Sequence, residues 1–226
     1  MSKENRVVVL IGSPKASKST SESLGNYLIE QLAARGAHTE KIHVSKVLRS
    51  IESTDNMMSA VDKADTVILV SPLYVDSLPY PVTKAFELIS EYRQGAGTAK
   101  AQKLVAIMNC GFPEAHQNDT AIAICRLFAR KIGFEWAGGL ALGMGGTIDG
   151  QALEKLGGML RNVKRALELT ADAIVAGSSV PQEVVDLMAK PFIPKWLYVL
   201  VGNFGWITTS KKYGANKNLR ARPYES

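Results

Sequence analysis

Two hydrophobic periodicities alternate along the first three quarters of the chain, and this alternation is the strongest constraint on its fold. Runs rich in β-branched residues, such as RVVVLI at Arg6–Ile11 and TVILV at Thr66–Val70, are typical of buried parallel strands. Between such runs, apolar residues recur at helical spacing, as Leu24, Leu28 and Leu32 do. Five β/α units in succession therefore predict a parallel sheet with helices on both faces.

The same patterns place the remaining elements. After Gly177 the alternation stops, so we predict a domain boundary between residues 178 and 179, followed by a C-terminal extension of helical and apolar character. Further strands are predicted at Thr39–Val44, Leu104–Met108 and Trp136–Leu142. Helices are predicted at Ser21–Arg35, near Asn56–Lys63, from Pro81, on a stripe of Ile124, Leu127, Phe128 and Ile132, over one long stretch from Leu153 to Ile174, and at Gln182–Lys190.

Composition and charge exclude several classes of protein. With 46% hydrophobic and 21% charged residues, the chain is neither disordered nor fibrous. Most of the net charge of +6 lies in residues 209–226, and the nearly balanced remainder argues against a nucleic-acid-binding domain. Cys110, Cys125 and three scattered histidines show no metal-binding spacing, so we predict no metal. The first apolar run is too short for a signal peptide, and we expect a cytoplasmic protein with reduced thiols.

The loop after the first strand, GSPKASKSTS at Gly12–Ser21, leads directly into a helix N-terminus. Hydroxyl groups, backbone N–H groups and two lysines suit a phosphate dianion. The loop also resembles a Walker A motif, except that Ser17 replaces the second glycine. An aspartate for Mg²⁺ is missing from the ends of the third and fourth strands, so we favour a phosphate site that works without Mg²⁺.

The loops after the third and fourth strands have a different character. SPLYVDSLPYP, residues 71–81, is bracketed by prolines and presents apolar and aromatic side chains that suit a flat conjugated ring. NCGFPE, residues 109–114, combines an amide, a glycine and an aromatic. Its Cys110 is interpreted as a buried small hydrophobe and His116 as an exposed loop residue. Because ligands bind at the carboxyl ends of parallel strands, we expect the three loops to form one site.

Together, GSPKASKSTSESL, SPLYVDSLPYPVTKAFE and NCGFPEA resemble the NADPH-dependent FMN reductase-like NAD(P)H oxidoreductases over about residues 6–176. The resemblance implies a flavodoxin-like three-layer sandwich with a five-stranded parallel sheet, an FMN cofactor and NAD(P)H as cosubstrate. It assigns the FMN phosphate to the first loop and the isoalloxazine to the other two. Which of Ser17, Ser19, Thr20 and Ser21 contacts phosphate stays open, because the first loop is one residue longer than the common pattern. The implied cofactor-binding residues are Ser13, Lys15, Ser19, Thr20, Ser21, Pro72, Leu73, Tyr74, Val75, Asp76, Asn109, Gly111 and Phe112.

The resemblance predicts an oxidoreductase that passes hydride from a nicotinamide to FMN and then reduces a small acceptor: a quinone, an azo or nitro compound, free flavin or a ferric chelate. No side-chain acid or base is required, so we name no catalytic residue. A flavodoxin-like electron carrier, a flavin-binding sensor and a degenerate P-loop protein are the alternatives. We expect a homodimer. For the apolar segment of the extension, packing on protein is favoured over contact with an anionic membrane.

Overall fold

The computed structural model describes residues 5–15, 17–95 and 100–222. Its strands are β1 (Arg6–Ile11), β2 (His38–His43), β3 (Thr66–Pro72), β4 (Lys103–Asn109) and β5 (Glu135–Leu142). Its α-helices are α1 (Thr20–Ala33), α2 (Val44–Val47), α3 (Ile51–Lys63), α4 (Tyr80–Gly95), α5 (Asp119–Ile132), α6 (Arg161–Val175), α7 (Gln182–Ala189) and α8 (Lys195–Lys212).

The five strands form one parallel sheet in the order β2-β1-β3-β4-β5. This is the strand order of flavodoxin-like proteins. The chain adds β2 on one side of β1 and then β3 on the other side, so the strand order reverses between β1 and β3. The predicted α/β fold class is confirmed. In this topology, the carboxyl ends of β1 and β3 lie side by side and their loops leave from the same edge.

Two hydrophobic cores cover the sheet because successive strand residues face opposite sides. Val7 and Val9 of β1 belong to the core that contains residues of α1, α6 and α7. Val8 and Leu10 belong to the other, which contains residues of α3, α4 and α5. Both faces of β1 are therefore buried, which explains why its sequence is a continuous apolar run without alternation.

Two helix predictions were wrong in part. The predicted apolar stripe of α5 includes Leu127, whose side chain is 54% exposed. The sheet instead contacts a face with Ala121, Cys125 and Ala129, because small side chains allow the helix to approach the strands closely. The long helix predicted from Leu153 begins as a 3₁₀ segment that is interrupted at Gly157, where φ is +57°, and regular α-helix starts only at α6.

The chain divides into two compact units, with the division between residues 192 and 193. The first unit extends past the predicted boundary at residue 178 because α7 belongs to its core. Val180 N–H donates a hydrogen bond to Ala137 O of β5 over 2.7 Å, and Val184 and Met188 are buried. The second unit contains α8. In the described residues, none of the helices combines the length and the apolar character needed to cross a membrane.

Candidate functional site

A surface cavity of about 220 Å³ lies at the carboxyl edge of the sheet, next to the point where β1 and β3 diverge. Residues that follow β1, β3, β4 and β5 all reach it, as expected for a ligand site in an open parallel sheet. The lining residues are Ser13, Lys15, Ser19, Thr20, Ser21, Pro72, Leu73, Tyr74, Asn109, Cys110, Gly111, Gly145, Gly146 and Asp149.

Ten of the thirteen predicted cofactor-binding residues line this cavity. The three others, Val75, Asp76 and Phe112, do not line it, and Val75 and Phe112 are exposed. Gly145, Gly146 and Asp149 were missed by the sequence analysis. They lie in the turn that follows β5, where Met144 at φ +59° leads into a short 3₁₀ segment. Only the tertiary fold brings that turn to the first loop.

The N-terminus of α1 provides the donor groups of the cavity. Ser19 is the N-cap residue, and its Oγ accepts a hydrogen bond from Glu22 N–H over 3.2 Å. Ser21 Oγ accepts from the Asn109 amide over 2.9 Å, which leaves the Ser21 hydroxyl hydrogen available as a donor. Thr20 Oγ1 instead donates to Gly145 O over 2.8 Å, so toward a bound anion Thr20 offers its backbone N–H. The helix dipole adds a partial positive charge at this position.

Glu22 holds the first loop from outside the cavity. Its Oε2 accepts a hydrogen bond from Lys18 N–H over 2.8 Å, and its Oε1 lies 3.4 Å from Lys41 Nζ and 3.3 Å from His43 Nε2. Lys18 has a φ of +60°, a left-handed conformation that is strained for a residue with a Cβ. The Glu22 carboxylate therefore stabilises a loop conformation that lysine alone disfavours.

Burial lowers the pKa of His43 below its ordinary value of 6.5, an effect stronger than the opposing attraction of Glu22; Lys46 and Lys41 lower it further. In the unfolded chain His43 binds a proton below about pH 6.5, whereas in the folded protein it binds that proton only at lower pH. The free energy of unfolding therefore falls as the pH decreases. We expect His43→Gln to reduce this pH dependence between about pH 5 and 7.5 in urea unfolding. If His43→Gln and the wild type show equal slopes, the assignment to His43 is wrong.

The loop after β3 forms a tight turn at its tip. Tyr74 and Ser77 exchange backbone hydrogen bonds of 2.9 and 3.1 Å, and the two residues between them, Val75 and Asp76, have φ angles of +48° and +58°. Two consecutive positive φ angles are typical of a type I′ turn. The turn directs Val75 into solvent, while Leu73 and Tyr74 at its base line the cavity. This geometry explains why the predicted site residues Val75 and Asp76 are not part of the cavity.

Asn109 connects the three loops that the sequence analysis singled out. Its side-chain amide donates to Ser21 Oγ over 2.9 Å and to Ser71 O over 3.0 Å, and its backbone carbonyl accepts from Leu73 N–H over 2.8 Å. The residue is buried. A single side chain thus fixes the N-terminus of α1 against the ends of β3 and β4.

Cys110 follows Asn109 and is buried as predicted. Burial raises the pKa of its thiol, although hydrogen bonding with the Phe112 backbone and the Asn118 amide partly opposes this effect. A thiol with a raised pKa is protonated at neutral pH and is a poor nucleophile. Cys110 therefore lines part of the cavity as a small apolar side chain, in agreement with its interpretation as a small hydrophobe.

Lys15 is the lysine of the first loop that lines the cavity, whereas Lys18 does not. We expect Lys15→Ala to weaken FMN binding by about 1.5 kcal/mol, roughly tenfold, because a charge-assisted hydrogen bond to the phosphate is lost. Affinity for riboflavin, which has no phosphate, should not change. Fluorescence titration measures both constants, with Lys18→Ala as the matched control. If Lys18→Ala has the larger effect, the assignment to Lys15 is wrong.

Comparison with known proteins supports the fold and identifies the family. No curated protein matches the sequence significantly. Among solved structures, the NAD(P)H:quinone oxidoreductase of Methanothermobacter marburgensis has 19% identity and a TM-score of 0.54, covering 74% of this chain and 96% of that one. The FMN-dependent NADH-azoreductase of Bacillus anthracis, in complex with FMN, has 13% identity and a TM-score of 0.52, covering 76% and 99%. These similarities establish the fold.

A match at the level of sequence families is more specific. Residues 5–132, more than half of the chain, match the family described as NADPH-dependent FMN reductase. The matched region contains β1 to β4, α1 to α5 and three of the four loops that line the cavity. The chain therefore belongs to the NADPH-dependent FMN reductase family, whose members are oxidoreductases with FMN as cofactor and NAD(P)H as cosubstrate.

Proposed function

We propose that the cavity at the carboxyl edge binds FMN and that the protein transfers electrons from NAD(P)H through this flavin to a small acceptor. The observation that carries the proposal is the arrangement of the lining residues. Ser13, Lys15, Ser19 and Ser21 provide donors and positive charge beside the N-terminus of α1, and the apolar loop after β3 lies next to them. FMN requires hydrogen-bond donors for its phosphate and a flat apolar surface for its ring.

The residues of the chain fit the two ends of this cofactor. Ser13, Lys15, Ser19, Ser21 and the backbone of Thr20 would hold the phosphate. Pro72–Tyr74 and Asn109–Gly111 would flank the isoalloxazine. With about 220 Å³, the cavity is smaller than the 300 to 1,000 Å³ usual for drug-sized ligands, so one face of the ring would remain open to a second reactant. Asp149, the only acidic residue among those that line the cavity, adds a hydrogen-bond acceptor.

When bound, FMN supplies the redox chemistry, accepting hydride from a nicotinamide and passing electrons to an acceptor. The protein binds and orients the reactants, and no side chain needs to act as acid or base. Tyr74, 45% exposed at the base of the turn, is placed to shape the approach to the ring. We accordingly assign no catalytic residue.

Anaerobic mixing of the FMN-loaded protein with NADPH and with NADH tests this function. We expect at least one nicotinamide to bleach the flavin absorbance, and a quinone, azo dye, nitroarene, free flavin or ferric chelate to restore it. A flavin that neither nicotinamide reduces would contradict the reductase function and favour an electron carrier or sensor.

We further propose that the protein is a cytoplasmic homodimer. Both cysteines are free and buried, which suits a reducing compartment. An apolar groove of about 310 Å³ lies between α4 and α5, where Phe86 and Phe128 stack and Leu127 is exposed. A second copy of this chain would cover that surface. Light scattering should give a dimer that Leu127→Glu weakens; a wild-type monomer at micromolar concentration would contradict the proposal.

A further inference from the structure

The net charge of this protein resides entirely in its C-terminal segment. Residues 1–186 contain 20 basic and 20 acidic residues. Residues 187–224 contain seven lysines and arginines and no aspartate or glutamate. A neutral enzyme domain therefore precedes a segment of 38 residues that carries only positive charge. Such a segment attracts polyanionic surfaces electrostatically, and residues 1–186 have no net negative charge that would oppose this attraction.

Helix α8 lies within this basic segment and is apolar around its circumference. Consecutive helical residues are offset by about 100°, so Trp196, Leu200, Phe204 and Trp206 do not share one narrow face. The side chains of Trp196, Phe204 and Trp206 are 69%, 71% and 73% exposed. So many large apolar side chains exposed on one helix indicate a surface that a binding partner covers.

The chemistry at the two ends of α8 indicates which partner this is. Trp196 and Tyr198 lie in its first turn, Trp206 in its second half, and Tyr213 directly after it. Tryptophan and tyrosine are the residues enriched where a membrane meets water. Lys211 and Lys212 end the helix, and three more basic residues follow by position 222. Apolar side chains gain free energy when they enter the boundary between headgroups and acyl chains, and a neighbouring basic cluster adds attraction to anionic headgroups.

A second copy of the chain would fit this segment less well. Parallel pairing of two α8 segments would bring two clusters of like charge together at their C-terminal ends. We propose that α8 and the basic residues after it form a docking surface for an anionic lipid membrane. The apolar part of the helix is too short to cross the membrane, because Trp196–Ile207 spans only about 18 Å and the hydrocarbon core is about 30 Å thick. This assignment reverses the preference for a protein contact that the sequence analysis gave this segment.

Flotation of the full-length protein with lipid vesicles tests the proposal. We expect at least tenfold stronger binding to phosphatidylcholine vesicles that contain about 30% phosphatidylglycerol than to pure phosphatidylcholine, and weaker binding when salt is raised from about 0.05 to 0.5 M. In a Trp136→Phe background, only Trp196 and Trp206 emit, and their fluorescence should shift to the blue when anionic vesicles are added. Absence of binding, or equal binding to both kinds of vesicle, would overturn the proposal.

Variants separate the membrane from other partners. Lys211→Glu with Lys212→Glu, and separately Trp206→Ser, should each weaken vesicle binding about tenfold or more. Ile51→Ser, which alters another exposed apolar side chain in α3, is the matched control and should bind like the wild type. If Trp206→Ser instead converts a dimer into a monomer in the absence of lipid, while vesicle binding is unchanged, a second copy covers α8 and the membrane proposal is wrong.

Discussion

Gly150→Ala is expected to weaken FMN binding about ten- to a hundredfold. A Cβ at Gly150 would lie 2.4 Å from the backbone carbon and 2.5 Å from the carbonyl oxygen of Lys18, both in the first loop. Because backbone atoms cannot rotate away, the first loop must shift, and overpacking of this kind costs about 1 to 3 kcal/mol. Since Lys18 lies next to Ser19, the shift displaces the donors at the N-terminus of α1.

A matched control separates this contact from backbone strain. Gly150 and Gly133 have φ angles of +74° and +77°, but a Cβ at Gly133 would meet nothing within 4 Å. Gly133→Ala should therefore lose about 1 kcal/mol of stability and leave the FMN dissociation constant unchanged. Titration of both variants with FMN measures the difference. Equal affinities would show that the turn after β5 does not position the first loop.

Asn109→Ala should lower the free energy of unfolding of the FMN-free protein by about 2 to 3 kcal/mol. The substitution removes both hydrogen bonds that the buried side-chain amide donates, to Ser21 Oγ and to Ser71 O, and each such loss costs about 1 kcal/mol or more. Asn109→Asp should not rescue stability, because a carboxylate cannot donate to that carbonyl.

Urea unfolding measures this effect without any ligand. Asn26→Ala is the control: the Asn26 side chain accepts one hydrogen bond from Lys41 Nζ at the protein surface, so its loss should cost less than about 1 kcal/mol. If Asn109→Ala costs no more than Asn26→Ala, Asn109 does not connect the three loops.

The sequence was sufficient for the fold and for three of the four loops of the site. Buried parallel strands have a local signature, because both faces are covered and the run is continuously apolar, as in β1 and β3. The alternation of elements predicts a parallel sheet, and the parallel arrangement places the loops after β1, β3 and β4 at one edge. The donors of Ser13 and Ser21 and the aromatic ring of Tyr74 lie in those loops and were identified for that reason.

The remaining features depend on tertiary contacts that no local pattern encodes. The turn after β5 joins the cavity because Gly150 approaches the Lys18 backbone and Thr20 donates to Gly145 O, contacts between residues more than 120 positions apart. Val75 was assigned to the site by its position in the loop, but the tight turn directs it outward. In α5, Ile124, Phe128 and Ile132 pack against the core as predicted, but Leu127 does not. Hydrophobicity alone favours large residues, whereas close packing on the sheet also selected small ones.

Parallel titrations of the purified protein with FMN and riboflavin test most directly whether the cavity binds FMN through its phosphate. The structure predicts one FMN per chain, with a dissociation constant at least tenfold lower than that of riboflavin, because the donors at the N-terminus of α1 contact only the phosphorylated form. Equal affinity for FMN and riboflavin, or binding of a nucleoside triphosphate with Mg²⁺ in place of FMN, would contradict the account.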